Sequence, residues 1–426
     1  DQKRNWTDDI KPYKEQLTNL LDKITVFDPA CGSGAFPMGM LQLILHTYER
    51  LGDKQKPSNR KIKIIENSIF GADIEPNAIE IARLRAWLSI VVDEDKQDIE
   101  PLPNLDFKFV CCNSLIKLET KGQSNLADNL GTVEKLQELQ HNYFRARTYK
   151  TKKDIRQQYH DLIEQSRSQN SLFGKSKYLE QIESYHPFET KNVCQFYDNK
   201  FMFGISDGFD VVIGNPPYVQ IQKFSGQQCQ TDWQNQNYAT FAKTGDIYAL
   251  FIEKGVSLLK TAGVLAYITS NKWMRAGYGK SLRNFLATKT QPTQLIDFGG
   301  YQVFKSATVD SNILVTKNSP YGHDFNACTI KDNYSPEIPL NEYFKQHSQT
   351  MPQVSGESWV ISSALEQQIK NKIEAKGVPL KDWDINIYRG VLTGLNEAFI
   401  IDTETKERLC AEDPKSAEII KPILRG

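Results

Sequence analysis

Short apolar runs bounded by turn residues alternate along this chain with stretches of helical period, and that alternation limits the possible folds more than any other feature. The runs cover residues 24–30, 69–75, 108–113, 209–215, 263–270, 294–299 and 311–317. Most are nearly continuous in apolar residues, as parallel strands are when helices cover both faces of their sheet. Residues 38–51, 78–92 and 248–259 carry the helical spacing between them. Strand and helix in turn imply βαβ units and a doubly wound sheet. The segment 300–310 is too short for a crossover helix, so the last two runs are expected to pair antiparallel. The expected fold is α/β: a seven-stranded Rossmann-like sheet ending in a hairpin.

Two regions depart from this order. Residues 119–207 are polar, rich in Gln, Lys and Glu, and read as a mostly helical insertion. After Lys317, Pro320, Pro336, Pro339 and Pro352 break the chain before another helical stretch at 364–375. The expected organisation is 1–118 and 208–317 as two parts of one α/β domain, 119–207 as the insertion, and 318–426 as a linker and the start of a further unit. No apolar run approaches the ~18 residues of a membrane span, and residues 1–6 lack the basic and apolar regions of a signal peptide. We therefore expect a cytoplasmic protein with no membrane partner. Seven cysteines without a CxxC pair fit reduced thiols better than disulfides or a structural zinc, and no metal site is expected. The 52 basic and 52 acidic residues cancel, so any nucleic-acid footprint must be a local patch. The basic run 145–153 is one candidate, though a solvated helix face explains it as well.

Four motifs carry chemistry. Residues 26–36 (VFDPACGSGAF) run from a strand through a Gly-rich turn into a helix. Gly32 and Gly34 let the backbone bend tightly and let a ligand lie against it at a helix N-terminus. A dinucleotide fingerprint would have a third Gly where Pro37 stands, and Asp28 would sit badly beside a diphosphate. That carboxylate suits the ammonium of an amino-acid-bearing cofactor. In residues 70–78 (FGADIEPNA), Asp73 at a strand tip is placed for ribose hydroxyls, with Ile74 on an adenine face and Glu75 as the better candidate for a helix cap. Asn113, at the next strand end, is either a holder of the adenine amino group or a turn residue. The decisive motif is 210–218 (DVVIGNPPY). Pro216 and Pro217 fix the backbone and leave carbonyls free to accept. The Asn215 amide oxygen and the Pro216 carbonyl can take both protons of an aromatic amine, and Tyr218 can stack on its ring. The nitrogen lone pair is then free to attack a sulfonium methyl without a separate strong base. A base inside a duplex must be flipped out to reach such a pocket.

These motifs resemble the N6-adenine DNA methyltransferases of combined restriction-modification enzymes and related phage-defence methyltransferases, over roughly residues 24–317. The resemblance implies S-adenosylmethionine as cofactor and double-stranded DNA as partner, in an adenine-specific DNA methyltransferase. It assigns residues 28–34, including Asp28, Ala30, Gly32 and Gly34, to the methionine part of the cofactor and Asp73 to ribose. Asn215, Pro216, Pro217 and Tyr218 become the catalytic motif. Residues 246–251 (DIYALF) resemble the helix that closes the adenine pocket, which nominates Phe251. The segment 301–304 followed by 311–315 resembles the part whose aromatic packs on the flipped base, which nominates Phe304. Residues 388–399 and 419–426 resemble the entry to a target-recognition region, so the chain reads as a piece of a longer protein. No further cofactor segment is convincing in residues 1–23, and no nuclease constellation is found on a strand. Rival readings are a cytosine-N4 enzyme, a glutamine-amide methyltransferase and a non-catalytic DNA-binding defence component. A nicotinamide oxidoreductase is disfavoured by Pro37.

Overall fold

Neighbouring residues of the first three strands enter different apolar clusters, as a sheet covered on both faces requires. In β1 (Val26–Asp28), β2 (Ile69–Asp73) and β3 (Phe109–Cys111), Val26, Ile69 and Phe109 belong to one cluster. Phe27, Phe70 and Val110 belong to the other. Helices Ala35–Arg50, Pro57–Asn67 and Pro76–Val91 supply the first cluster with Leu41, Ile44, Ile64, Ile79 and Ala82. Helix Tyr248–Ser257, helix Lys280–Lys289 and the insertion supply the second. Phe27 stacks on Phe209 with ring centroids 4.7 Å apart and on Tyr197 at 5.0 Å, joining β1, the strand that begins at Phe209 and the insertion in one aromatic pile.

This computed structural model describes residues 10–93, 105–119, 131–146, 148–173, 177–189, 191–304, 309–331, 334–351, 354–362, 364–385 and 400–422. The chain forms two compact units, Asp1–Ser362 and Ser363–Gly426. In the first, β4 (Phe209–Gly214), β5 (Leu259–Ser270), β6 (Gln291–Asp297), β7 (Ser311–Lys317), β8 (Phe325–Thr329) and β9 (Gln349–Met351) complete one sheet in the order β3-β2-β1-β4-β5-β7-β6-β8-β9. Strands β3 to β5 in that order are parallel, and β7 lies antiparallel between β5 and β6. The expected antiparallel pair, β6 with β7, is present but does not end the sheet.

The strand count differs from expectation: nine strands among the described residues, not seven. β8 runs parallel to β6, and β9 antiparallel to β8, so the sheet continues beyond Lys317. These strands are short and set among prolines, which hid their pattern. Their physical role is to cover the far edge of β6: Cys328 joins Ile296, Phe298, Tyr343 and Phe344 in a third apolar cluster. Pro292 is tolerated inside β6 because the register slips between Pro292 and Gln294, the kind of irregularity where a strand can lack a donor.

The insertion is helical over Thr132–Arg145, Tyr149–Phe173, Lys177–Glu183 and Asn199–Phe203. It is tied to the β3 edge by Tyr143, whose hydroxyl donates to Asp106 Oδ2 at 2.7 Å, and by Arg156, which donates to the same oxygen at 2.9 Å. The second unit contains helices Ala364–Lys376 and Thr403–Glu412, the latter capped by Asp402 accepting from Thr405 N at 2.8 Å. The motif at 388–399 lies outside the described residues. Among the described residues no helix is long and apolar enough to cross a membrane, and no cluster of possible metal ligands exists. All seven cysteines are free thiols.

Candidate active site

Four of the sequence motifs meet at the C-terminal edge of the parallel strands, where ligands of doubly wound sheets bind. The Gly-rich turn leaves β1 with Gly32 at φ +52° and Gly34 at φ +83°, conformations that favour glycine. Gly34 also needs its missing side chain for packing, because a Cβ there would stand 3.1 Å from Ala82 Cβ on helix Pro76–Val91. Cys31 N donates to Ala72 O at 2.9 Å, and Ser114 Oγ donates to Pro29 O at 2.7 Å. The turn is thus held from both β2 and the loop after β3.

Asp28 closes β1 and is 1% exposed. Its Oδ1 accepts from Ala30 N at 3.0 Å, while the buried Oδ2 has no hydrogen-bond partner. Burial pushes its pKa up to about 8; the Ala30 N–H opposes this and the Asp73 charge adds to it. Asp73 is partly buried and does work that sequence reasoning did not assign. Its Oδ2 accepts from Gly32 N at 2.7 Å and its Oδ1 from Glu75 N at 2.9 Å. Glu75, the expected cap, occupies the cap position of helix Pro76–Val91 but makes no side-chain cap bond; the Asp73 carboxylate turns the backbone there instead. Each carboxylate oxygen retains lone-pair capacity beyond one backbone bond. Ile74 beside it is 58% exposed, an apolar surface open to a flat ligand. Asn113 is turn-forming: its Oδ1 accepts from Leu115 N at 3.2 Å.

Asn215 follows β4, and its buried Oδ1 has no hydrogen-bond partner. Such an acceptor costs free energy unless something satisfies it. Pro216 is buried and Pro217 exposed. Tyr218 is half-buried, donates its hydroxyl to Ile268 O at 3.2 Å, and meets Tyr248 edge-on at 6.1 Å. The loop after it is stitched to the 245–247 segment, with Ile247 N donating to Val219 O at 2.9 Å and Ile221 N to Gly245 O at 2.8 Å. Ala30 and Tyr218 pack on the apolar cluster that contains Phe251, which is itself buried on helix Tyr248–Ser257. Phe304 is half-buried and makes no ring contact among the described residues, whereas Tyr301 packs edge-on to Tyr334.

Two residues at the site were missed. Gly214 lies against Asp28: a Cβ there would stand 2.6 Å from Asp28 Oδ1. A glycine ending an apolar strand was the available signal for such a close approach. Across the ladder from Gly214 sits Tyr267, fully buried with an unpartnered hydroxyl. Gly214→Ala is expected to cost about 1–3 kcal/mol by overpacking, read as a lower urea midpoint at unchanged slope. An unchanged midpoint would show that the Asp28 carboxyl has room to retreat.

Residues 67–304, more than half of the chain, match the Eco57I restriction-modification methylase family. The chain belongs to that family. Residues 4–101 of this methylase also match the DNA-methyltransferase domain of MmeI. It is 28% identical over 243 residues to the type II restriction enzyme and methyltransferase RM.Eco57I of Escherichia coli, covering 54% of this chain and 22% of that protein. It is 23% identical over 290 residues to the adenine-specific methyltransferase PglX of Lacticaseibacillus casei, covering 66% of this chain and 22% of that protein. The methylase thus spans less than a quarter of the length of these two relatives. A solved structure of the type IIL restriction-modification enzyme MmeI in complex with DNA shares the fold at a TM-score of 0.50 and 14% identity, over 96% of this chain and 45% of that one. Family membership implies a methyl-donor cofactor.

Proposed function

We propose that this methylase transfers a methyl group from S-adenosylmethionine to the N6 amine of an adenine flipped out of double-stranded DNA, within a restriction-modification or phage-defence system. The observation that carries the reading is the unpartnered, buried Asn215 Oδ1 between the end of β4 and two prolines. The name of the PglX relative, adenine-specific, supports adenine over cytosine.

The site's own chemistry fits such a cofactor, which when bound supplies an electrophilic methyl on a sulfonium. Asp28 Oδ2 is a buried orphan suited to an ammonium, and Gly32 and Gly34 let the chain backbone lie close. Asp73 would take the ribose hydroxyls with its remaining lone pairs, Ile74 would cover one adenine face, Asn113 would use its amide nitrogen, and Phe251 would wall the pocket. Asn215 Oδ1 and the Pro216 carbonyl accept hydrogen bonds from the two N–H groups of the target amine, drawing its lone pair out of conjugation, and the methylated amine sheds one of those protons to solvent. Tyr218, pinned by its hydroxyl to Ile268 O, stacks on the base, with Phe304 nominated for its other side. These groups are fixed before the reaction, so little reorganisation accompanies it.

The deciding measurement is base analysis of duplex DNA incubated with the protein and S-adenosylmethionine. N6-methyladenine is the expected product; N4-methylcytosine would move the target, and no modified base would sink the proposal. Asp73→Ala is expected to weaken cofactor binding by about 10- to 100-fold, through loss of charge-assisted hydrogen bonds of ~1.5–3 kcal/mol. Unchanged affinity by calorimetry would remove Asp73 from the ribose site and leave it only its turn-holding role.

A further inference from the structure

Positive and negative charges cancel over the whole chain, yet they do not mix evenly around the Asn215 pocket. Three loops frame it: residues 218–230 after Tyr218, residues 239–245 before Asp246, and residues 270–281 after β5. They contain Lys223, Lys243, Lys272, Arg275 and Lys280, and not one Asp or Glu. All five cations are exposed. Among the described residues Lys223, Lys243 and Lys272 have no acidic partner, while Arg275 meets buried Asp297 at 3.4 Å and Lys280 meets exposed Glu357 at 3.7 Å.

The three loops are one structural rim. Ile221 N donates to Gly245 O at 2.8 Å, joining the first to the second. Ser281 Oγ donates to Thr240 O at 3.3 Å, and the Tyr278 hydroxyl donates to Asp246 Oδ2 at 2.9 Å, joining the third to the second. β4 and β5 are parallel with Gly214 opposite Tyr267, so the loop after β5 opens on the same edge as Asn215. A chain with 52 charges of each sign has no net field to gather a polyanion. A rim of one sign on a rigid frame supplies it locally.

We propose that Lys223, Lys243 and Lys272 form a phosphate-contacting rim that seats the sugar–phosphate backbone of nucleic acid around the Asn215 pocket. This rests on the reading of the methylase as acting on DNA, and assigns the backbone contacts that position the duplex while leaving base readout to other elements. Each phosphate neutralised releases counterions, so the rim has a quantitative signature in salt dependence.

The experiment compares the wild-type chain with the triple variant Lys223→Gln, Lys243→Gln, Lys272→Gln. A control variant neutralises three exposed lysines away from the Asn215 edge of the sheet, Lys63 before β2, Lys289 before β6 and Lys317 at the end of β7. Binding to a mixed-sequence duplex is followed by fluorescence anisotropy from roughly 50 to 200 mM salt, and cofactor binding by calorimetry. The rim variant should lower the log–log salt slope by about 3, near 0.9 per lost phosphate contact, with cofactor affinity unchanged. The control should leave the slope as it is. An unchanged slope in a rim variant that still binds cofactor overturns the proposal. So does an equal fall in the control, which would mean diffuse attraction. Wild-type chain that binds cofactor but no duplex at low salt also overturns it. If the slope responds as expected while no methylated base forms, the rim stands and the catalytic reading fails.

Discussion

Asn215→Ala is expected to cut methylation by at least ~100-fold while leaving cofactor affinity within about twofold. The large effect follows from where Asn215 Oδ1 sits: buried, unpartnered, and flanked by prolines that fix the neighbouring carbonyl. An acceptor in this state is already desolvated, so a hydrogen bond formed there costs no reorganisation when the amine gives up its conjugation. The small effect on the cofactor follows because the residues suited to hold it are held without Asn215: Asp28 by Ala30 N, and Asp73 by Gly32 N and Glu75 N. Single-turnover methylation of duplex DNA, with calorimetry on the same variant, checks both halves. Parallel loss of cofactor binding would make Asn215 a structural support of the turn instead.

Much of this was legible because its signals are local. Strands such as β2 are buried along nearly their whole length, which writes them as continuous apolar runs. The Gly-rich turn and Asn215 to Tyr218 need special backbone geometry, and special geometry needs Gly and Pro. What was not legible depends on residues distant in sequence. The bond from Gly32 N to Asp73 Oδ2 spans 41 positions, so the ribose candidate could not be seen to brace the cofactor turn. Gly214 makes room for Asp28 from another strand altogether. β8 and β9 are short strands among prolines, and only the exposed edge of β6 explains why they pair there. The neutral total charge concealed a rim of one sign, because charge segregation is a property of loops brought together by folding.

Asp73 has one set of lone pairs committed to the turn and another free, so a ligand that bonds the free set also stiffens the turn against Asp28. The paired loops at 218–221 and 245–247 in turn connect Tyr218 to helix Tyr248–Ser257, on which Phe251 lies. Ala30 of the Gly-rich turn and Tyr218 both pack on the one apolar cluster that contains Phe251.

Cofactor binding is expected to strengthen about tenfold between pH 6 and pH 7 and to release close to one proton per molecule bound at neutral pH. Asp28 is the reason. Burial is the largest cause of its raised pKa, about 8, so in the free protein it holds its proton at neutral pH. An ammonium placed against Oδ2 favours the ionised form, and the proton must leave as the cation arrives. Near pH 8 the gain levels off, and above it affinity falls as the ligand's own α-amino group, with an ordinary pKa of about 8, loses its charge. The same shift fixes the sign for folding. The folded pKa lies above the unfolded value, so the cost of Asp28 to stability is absent below about pH 4, grows as pH rises, and is complete above about 8. Saturating S-adenosylmethionine should flatten that decline. Asp28→Asn keeps an oxygen for Ala30 N but cannot ionise; it should lose proton release altogether and bind about 10- to 100-fold more weakly at pH 8. Calorimetry in two buffers of different ionisation heat measures the proton directly. Wild-type affinity that is flat from pH 6 to 8 would show that the ammonium is held elsewhere and that Asp28 serves only to shape the turn.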